Sequence, residues 1–217
     1  MFGQFFADSF FTSGYGDSTG SMTSERDCVY DCLAVLDYVY KHCGNAPVFF
    51  WGHSLGTGIV GALVRHLLDD RASGQSESQL PRGIILEAPF TNLAQAVVSV
   101  RSMLPYRYVP YWHRRFASIA SRHNIEFHTE TNLANCPIPI MILHAEDDNV
   151  VPFRQGEQLA RTLNAYPGSV VNFVPFARNR GYKHNFIHTA PELPQLLRSF
   201  VHSVLNDEPL PAIPTSS

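Results

Sequence analysis

Gly52-His53-Ser54-Leu55-Gly56 sets one serine between two glycines, directly after the apolar run Val48-Phe49-Phe50-Trp51 and before a stretch of helical spacing. A turn from strand into helix projects the hydroxyl clear of its surroundings and aims the first amides of the helix at developing negative charge. The chemistry this suits is nucleophilic attack on an acyl carbonyl, with Ser54 as nucleophile. Gly52 and Gly56 are expected to keep side chains away from neighbouring backbone. The N–H of Leu55, just after the serine, is the expected oxyanion donor. The plainer alternative is a serine that only caps a helix in a glycine-rich turn. His53 precedes the serine and is expected to point elsewhere.

A serine hydroxyl is a weak nucleophile and needs a general base, and the base needs a carboxylate to fix its tautomer and stabilise its charged form. The run His144-Ala145-Glu146-Asp147-Asp148-Asn149-Val150-Val151-Pro152 follows an apolar strand, where a parallel sheet places functional groups. Its spacing to Val151-Pro152 favours Asp148, with Asp147 the reserve and Glu146 behind it; a solvated acidic turn is the alternative. The base is expected after the next strand and before the last helix, where Gly181-Tyr182-Lys183-His184-Asn185 lies. His184 is the choice, and His188, nearer the last helix, is the reserve. The order Ser54, Asp148, His184 is that of the α/β-hydrolases and differs from both protease orders.

These groups need a frame. Ser24, with Asp27 at the third position, reads as the cap of a helix whose apolar positions are Cys28, Val29, Cys32, Leu33, Leu36, Val39 and Tyr40. Gly44, Asn45 and Pro47 end it. Residues 48–51 form a short continuous apolar run, as does a strand buried on both faces, and a helix extends from the glycine-rich turn to about Leu68. Residues 69–82 read as a loop, 83–86 as a second strand, 138–143 as the lead into a third and 170–174 as a fourth. Helices are expected at 153–163 and 191–205, with Pro191 in the first turn of the latter. Strands alternating with helices imply a mostly parallel sheet with helices on both faces, in one domain over residues 1–205. Residues 88–135 form a long, irregular, aromatic-rich segment, and 206–217 read as a disordered tail.

Composition removes other classes. The chain has 217 residues, a formal charge of −3, 45% hydrophobic and 16% charged residues. That is globular, too apolar for disorder, and without the basic stripe of a nucleic-acid binder. The apolar stretches are strand-sized, and the Phe-rich start lacks the basic head and apolar centre of a signal peptide, so neither a transmembrane segment nor a signal peptide is expected. Cysteines 28, 32, 43 and 136 match neither a redox nor a zinc spacing and read as buried free thiols. Ten scattered histidines without HExxH give no metal site, and no cofactor is expected.

The chain resembles the α/β-hydrolase-domain lipases that cleave lysophosphatidylserine and monoacylglycerol, over about residues 14–200. The segments that carry the resemblance are Gly14-Tyr15-Gly16-Asp17-Ser18, the elbow from Phe50 to Gly58, and Leu86-Glu87-Ala88-Pro89-Phe90-Thr91-Asn92. They continue with residues 143–153, Val174-Pro175-Phe176, Gly181-Tyr182-Lys183-His184 and Pro191-Glu192-Leu193-Pro194. The resemblance implies an α/β-hydrolase fold, the triad Ser54, Asp148 and His184, and a helical cap at about 90–135 over the site. It also implies single-chain lipid substrates and association with a membrane, typically the endoplasmic reticulum.

The front departs from the family pattern. No residue before Gly14 matches the loop that supplies the second oxyanion donor, and the first strands are missing. The expected chain is therefore N-terminally truncated, with residues 48–51 as an unpaired apolar edge. The leading reading is a serine lipase or lysophospholipase. The alternatives are another carboxylesterase or thioesterase of the same fold, or a weak or inactive form that binds or regulates.

Overall fold

The structure is a computed structural model that describes residues 24–74, 79–93 and 126–211. Helix α1 (Glu25–Cys43) starts where its cap predicts: the Ser24 hydroxyl accepts the Asp27 N–H at 3.2 Å, and Gly44 ends the helix at φ 56°. Its buried Val29, Cys32 and Leu36 pack on Ala62, Leu63 and Leu67 of α2 (Leu55–Ala72). That second helix runs past the predicted Leu68 into the polar stretch expected to be a loop. Arg65–Asp69 and His66–Asp70 pair one turn apart at 3.2 and 3.4 Å along it, and a polar helix end needs only such local partners.

Four parallel strands follow in simple order: β1 (Phe49–His53), β2 (Gly83–Glu87), β3 (Ile140–Ala145) and β4 (Val171–Phe176). The register runs Phe49↔Gly83 to His53↔Glu87, Ile84↔Ile140 to Glu87↔Leu143, and Ile140↔Val171 to Ala145↔Phe176. Between β2 and β3 lies a short α3 (Thr129–Asn132), within the stretch expected to be irregular. Helix α4 (Phe153–Asn164) joins β3 to β4, and α5 (Leu193–Leu205) closes the described fold.

Alternate strand residues face opposite sides. Ile84, Leu86, Ile140 and Ile142 pack under Val64 of α2 and Leu159 and Leu163 of α4. Ile85, Met141 and Leu143 pack under Phe200 and Val204 of α5. Burying one such side chain contributes about 1.5–3 kcal/mol, so the two layers fix which residues reach the strand ends. The expectation of strands buried on both faces holds for β2 and β3, every residue of which is buried. It does not hold for the outer strands. Among the described residues β1 is an edge, with Trp51 45% exposed, and β4 alternates buried and half-buried positions. Pro175, which has no N–H for a ladder, is suited to that outer strand.

The last helix begins at Leu193, so Pro194 rather than Pro191 occupies its first turn. Of the segment expected as a free tail, residues 206–211 are held to the body. Leu210 packs on the core, and the Asn172 side-chain amide donates to the Pro211 carbonyl at 3.2 Å. Residues 212–217 lie outside the described residues, as do the Gly14 segment and 94–125 of the expected cap. Phe90 and Phe127, near the two ends of that cap, are buried together with Cys28 and Val151. Cys28, Cys32 and Cys136 are buried as expected, whereas Cys43 is exposed. Burial, then the neighbouring Cys28 and Asp31, push the Cys32 thiol up to about 12.

Candidate active site

All four strands point the same way, so their C-terminal ends gather the chemistry-bearing residues on one rim. Ser54 stands between β1 and α2 at φ 51°, a left-handed conformation that non-glycine residues rarely hold. Such a residue costs on the order of 1–3 kcal/mol and persists where its surroundings over-determine it. Here the Ser54 N–H donates to the Glu87 carbonyl at 2.9 Å, and the Ser54 carbonyl accepts from the Thr57 N–H at 2.9 Å and the Thr57 hydroxyl at 2.7 Å. Gly52 is required sterically, because a Cβ there would strike the Gly56 carbonyl, with the Thr57 nitrogen at 2.8 Å. The expectation that Gly56 is needed in the same way is not met: a Cβ at Gly56 meets nothing within 4 Å. What matters at position 56 is backbone, which α2 brings against Gly52. The Leu55 N–H is the first amide of α2 and lacks an intrahelical acceptor by position.

The Ser54 hydroxyl lies 2.9 Å from His184 Nε2, and His184 Nδ1 lies 2.8 Å from Asp148 Oδ2. A carboxylate oxygen accepts, so Nδ1 carries the proton and Nε2 offers a lone pair to the serine O–H. The Asp148 side chain is fully buried and that of His184 is 8% exposed. Burial by itself would raise the Asp148 carboxyl. Hydrogen bonds from His144 and His184, the Val150 N–H and the nearby His184 charge outweigh it and hold Asp148 well below the usual carboxylate range. Asp148 therefore stays ionised beside the histidine. The three side chains selected from the sequence thus form one unbroken hydrogen-bonded path. Such a path can draw a proton from Ser54 and hold it on an imidazolium that the carboxylate stabilises.

The reserve acids do not reach the histidine ring, but they are not idle. Glu146 Oε2 accepts the Arg178 N–H and Asp147 Oδ1 accepts the Lys183 N–H, both at 3.0 Å. Lys183 has φ 49°, so Asp147 pins a strained peptide directly before His184. Three successive acids thus fasten successive points of the loop that carries the base. His188 is exposed, and its Nδ1–H donates to the Asn185 carbonyl at 2.9 Å, away from Ser54.

Two residues take part that sequence reasoning missed. His53 does not point elsewhere: its Nε2–H donates to the His184 carbonyl at 3.0 Å, and the two rings lie 4.9 Å apart. His144, at the end of β3, is fully buried beside Asp148. His53 is adjacent to the nucleophile and His144 opens the acidic run, so position was the available signal, but no spacing rule gives either a role.

Comparison with known proteins agrees with the fold. Residues 26–188 match the model of the alpha/beta hydrolase fold family. The chain is 40% identical to the lysophosphatidylserine lipase ABHD12 of Macaca fascicularis over 191 residues, 87% of this chain and 46% of that protein. It is 38% identical to the enzyme of the same name from Danio rerio, over 88% of this chain and 48% of the relative. It is 33% identical to human protein ABHD12B, over 87% and 50%. The chain thus spans about half the length of the curated relatives it matches. Among solved structures it resembles Est1E from Butyrivibrio proteoclasticus with ferulic acid bound, at TM-score 0.60 and 15% identity over 90% of this chain and 75% of that one. A putative alpha/beta hydrolase from Agrobacterium tumefaciens, ATU1826, gives TM-score 0.59 and 19% identity, over 93% and 71%. At such identities these two speak for the fold alone.

Proposed function

The chain belongs to the α/β-hydrolase family, and from that premise we propose that it is a serine lipase of the lysophospholipase type, with Ser54, His184 and Asp148 as its triad. The observation that carries the reading is the path from Ser54 Oγ through His184 to Asp148, at 2.9 and 2.8 Å, standing at the head of α2. Ser54 Oγ attacks the ester carbonyl carbon while His184 Nε2 takes its proton. The tetrahedral oxyanion faces the Leu55 N–H. The C–O bond to the glycerol side breaks, His184 returns the proton to that oxygen, and an acyl-Ser54 ester remains. Water then attacks the acyl carbon, again giving its proton to His184, and the fatty acid leaves as Ser54 recovers its hydrogen. Throughout, Asp148 stays ionised, fixes the imidazole tautomer and offsets the transient positive charge.

The substrate class follows from the resemblance to lysophosphatidylserine lipases: single-chain lipids, lysophosphatidylserine first and monoacylglycerol second. Action at a membrane, that of the endoplasmic reticulum by the same resemblance, belongs to the proposal. Among the described residues no helix is long and apolar enough to cross one.

The test is fatty-acid release by the 217-residue chain, with Ser54→Ala as control. Its substrates are lysophosphatidylserine, monoacylglycerol and a short-chain ester, each presented in detergent micelles. The expected result is Ser54-dependent hydrolysis with preference for the long-chain lipids. Preference for the short ester would instead make the chain a general carboxylesterase. No hydrolysis by folded protein would leave a binding or regulatory role.

A further inference from the structure

We infer that His144 is a positioning residue for the proposed triad, a donor fixed beside the same Asp148 carboxylate oxygen that His184 meets. His144 is fully buried at the end of β3. Its Nε2 lies 3.0 Å from the Val151 carbonyl oxygen and 3.4 Å from Asp148 Oδ2. A carbonyl only accepts, so Nε2 carries the proton and shares it between the carbonyl and, by a longer leg, the carboxylate. Asp148 Oδ1 in turn accepts the N–H groups of Val150 at 2.8 Å and Val151 at 2.9 Å. The hydrogen bonds close a ring: His144 holds the carbonyl of Val151, whose N–H holds one oxygen of Asp148, while His144 faces the other. With three donors set in this way, Oδ2 also meets His184 Nδ1 at 2.8 Å.

The other nitrogen of His144 shows why the ring cannot exchange roles. Nδ1 is buried and, among the described residues, has no hydrogen-bond partner. Gly156 of α4 lies against it so closely that a Cβ there would collide with Nδ1, and the Phe153 ring meets the imidazole edge to face, with centroids 5.7 Å apart. His144 thus acts through Nε2 alone, as a one-sided donor. The position is fully buried, and a donor there serves Val151 and Asp148 where an apolar side chain could not. This role of His144 rests on the proposed triad, and its test is separable from that of the function.

The test compares His144→Gln, His144→Asn and His144→Leu in the 217-residue chain. Glutamine places an amide nitrogen near the position of Nε2, asparagine near that of Nδ1, and leucine offers no donor. Two readouts are used: the rate of fluorophosphonate labelling, and the slowly exchanging His184 Nδ1–H proton in nitrogen-15-edited NMR. The expected loss of labelling is about tenfold in His144→Leu and His144→Asn, as for a catalytic carboxylate freed to shift by a fraction of an ångström. The NMR signal is lost in both, and His144→Gln recovers labelling and signal together. Equal behaviour of the Gln and Asn variants, or losses that follow melting temperature alone, would overturn the inference and leave His144 a packing residue. If His144→Leu does not fold, the Gln–Asn pair reads the same difference, and failure of all three to fold also assigns His144 to packing. If the wild type is not labelled, the proposed function falls, while the NMR comparison still decides the role of His144.

Discussion

The two ends of the Ser54–His184–Asp148 path are held by different means. At the serine end the work is done by backbone: a left-handed Ser54, a glycine where no Cβ fits, and main-chain bonds to Glu87 and Thr57. At the acid–base end side chains do it. Glu146 and Asp147 fasten the loop of His184, and Asp148 gathers backbone and imidazole donors. Backbone constraint tolerates little substitution at a few positions, whereas side-chain fastening is spread over many residues, each dispensable in degree. Substitutions at the serine end should therefore act all-or-none, and those at the acid–base end should be graded.

The largest graded effect is expected at Asp148 itself. Asp148→Asn keeps the size but not the charge, and fluorophosphonate labelling should fall about a thousandfold to ten-thousandfold near neutral pH, from loss of the tautomer and of charge stabilisation. The same carboxylate links stability to pH. Its folded pKa lies below the unfolded value of about 4, so its stabilisation is present above that pH and is lost as pH falls below it. The melting temperature of Asp148→Asn should accordingly fall less steeply than that of the wild type between about pH 5 and pH 3. Parallel pH curves would contradict the ionised, buried carboxylate.

Gly52→Ala sharpens the contrast from the serine end. Its Cβ meets Gly56 backbone rather than a movable side chain. A cost of about 3 kcal/mol or more, with labelling abolished, is expected in denaturant unfolding and labelling assays. Gly56→Ala, which meets no neighbour, should cost about 1 kcal/mol or less. Equal losses at the two glycines would break the backbone account. A smaller effect is expected for Asp147→Ala, which frees the Lys183 peptide but leaves His184 bonded to Asp148: labelling slowed about tenfold, with a modest fall in melting temperature. The smallest concerns the cysteines. Native protein at pH 8 should be alkylated at exposed Cys43, with Cys32 protected by its buried, protonated thiol, as peptide mass mapping would read.

The same contrast explains what the sequence made legible. The elbow is legible because its serine stands between an apolar run and a helical stretch, two residues after a glycine that the backbone requires. The strands and α1 were plain because apolar runs and a capping serine are local signals. Of the three acids, Asp148 is the one whose carboxylate meets the His184 ring. The roles of the other two acids are not legible, because they accept the backbone N–H groups of Arg178 and Lys183, and a main-chain donor leaves no side-chain signature in the sequence. His53 is not legible because its acceptor, the His184 carbonyl, is far along the chain, and His144 is not because a side-chain bond inside one loop, to Val151 and beside Asp148, leaves no periodicity. The start of α5 was misplaced because two prolines, Pro191 and Pro194, both suit a first turn, and packing of Leu193 into the core decides between them. The extra turn of α2 was hidden by its polar sequence.

The most direct test of the account is covalent labelling of the 217-residue chain by a fluorescent fluorophosphonate, beside Ser54→Ala and with folding of both followed by circular dichroism. The account predicts time-dependent labelling of the wild type that vanishes in Ser54→Ala while the two proteins melt alike. Folded wild type that stays unlabelled, or Ser54→Ala that labels equally well, would contradict the claim that Ser54, His184 and Asp148 form a working nucleophilic site.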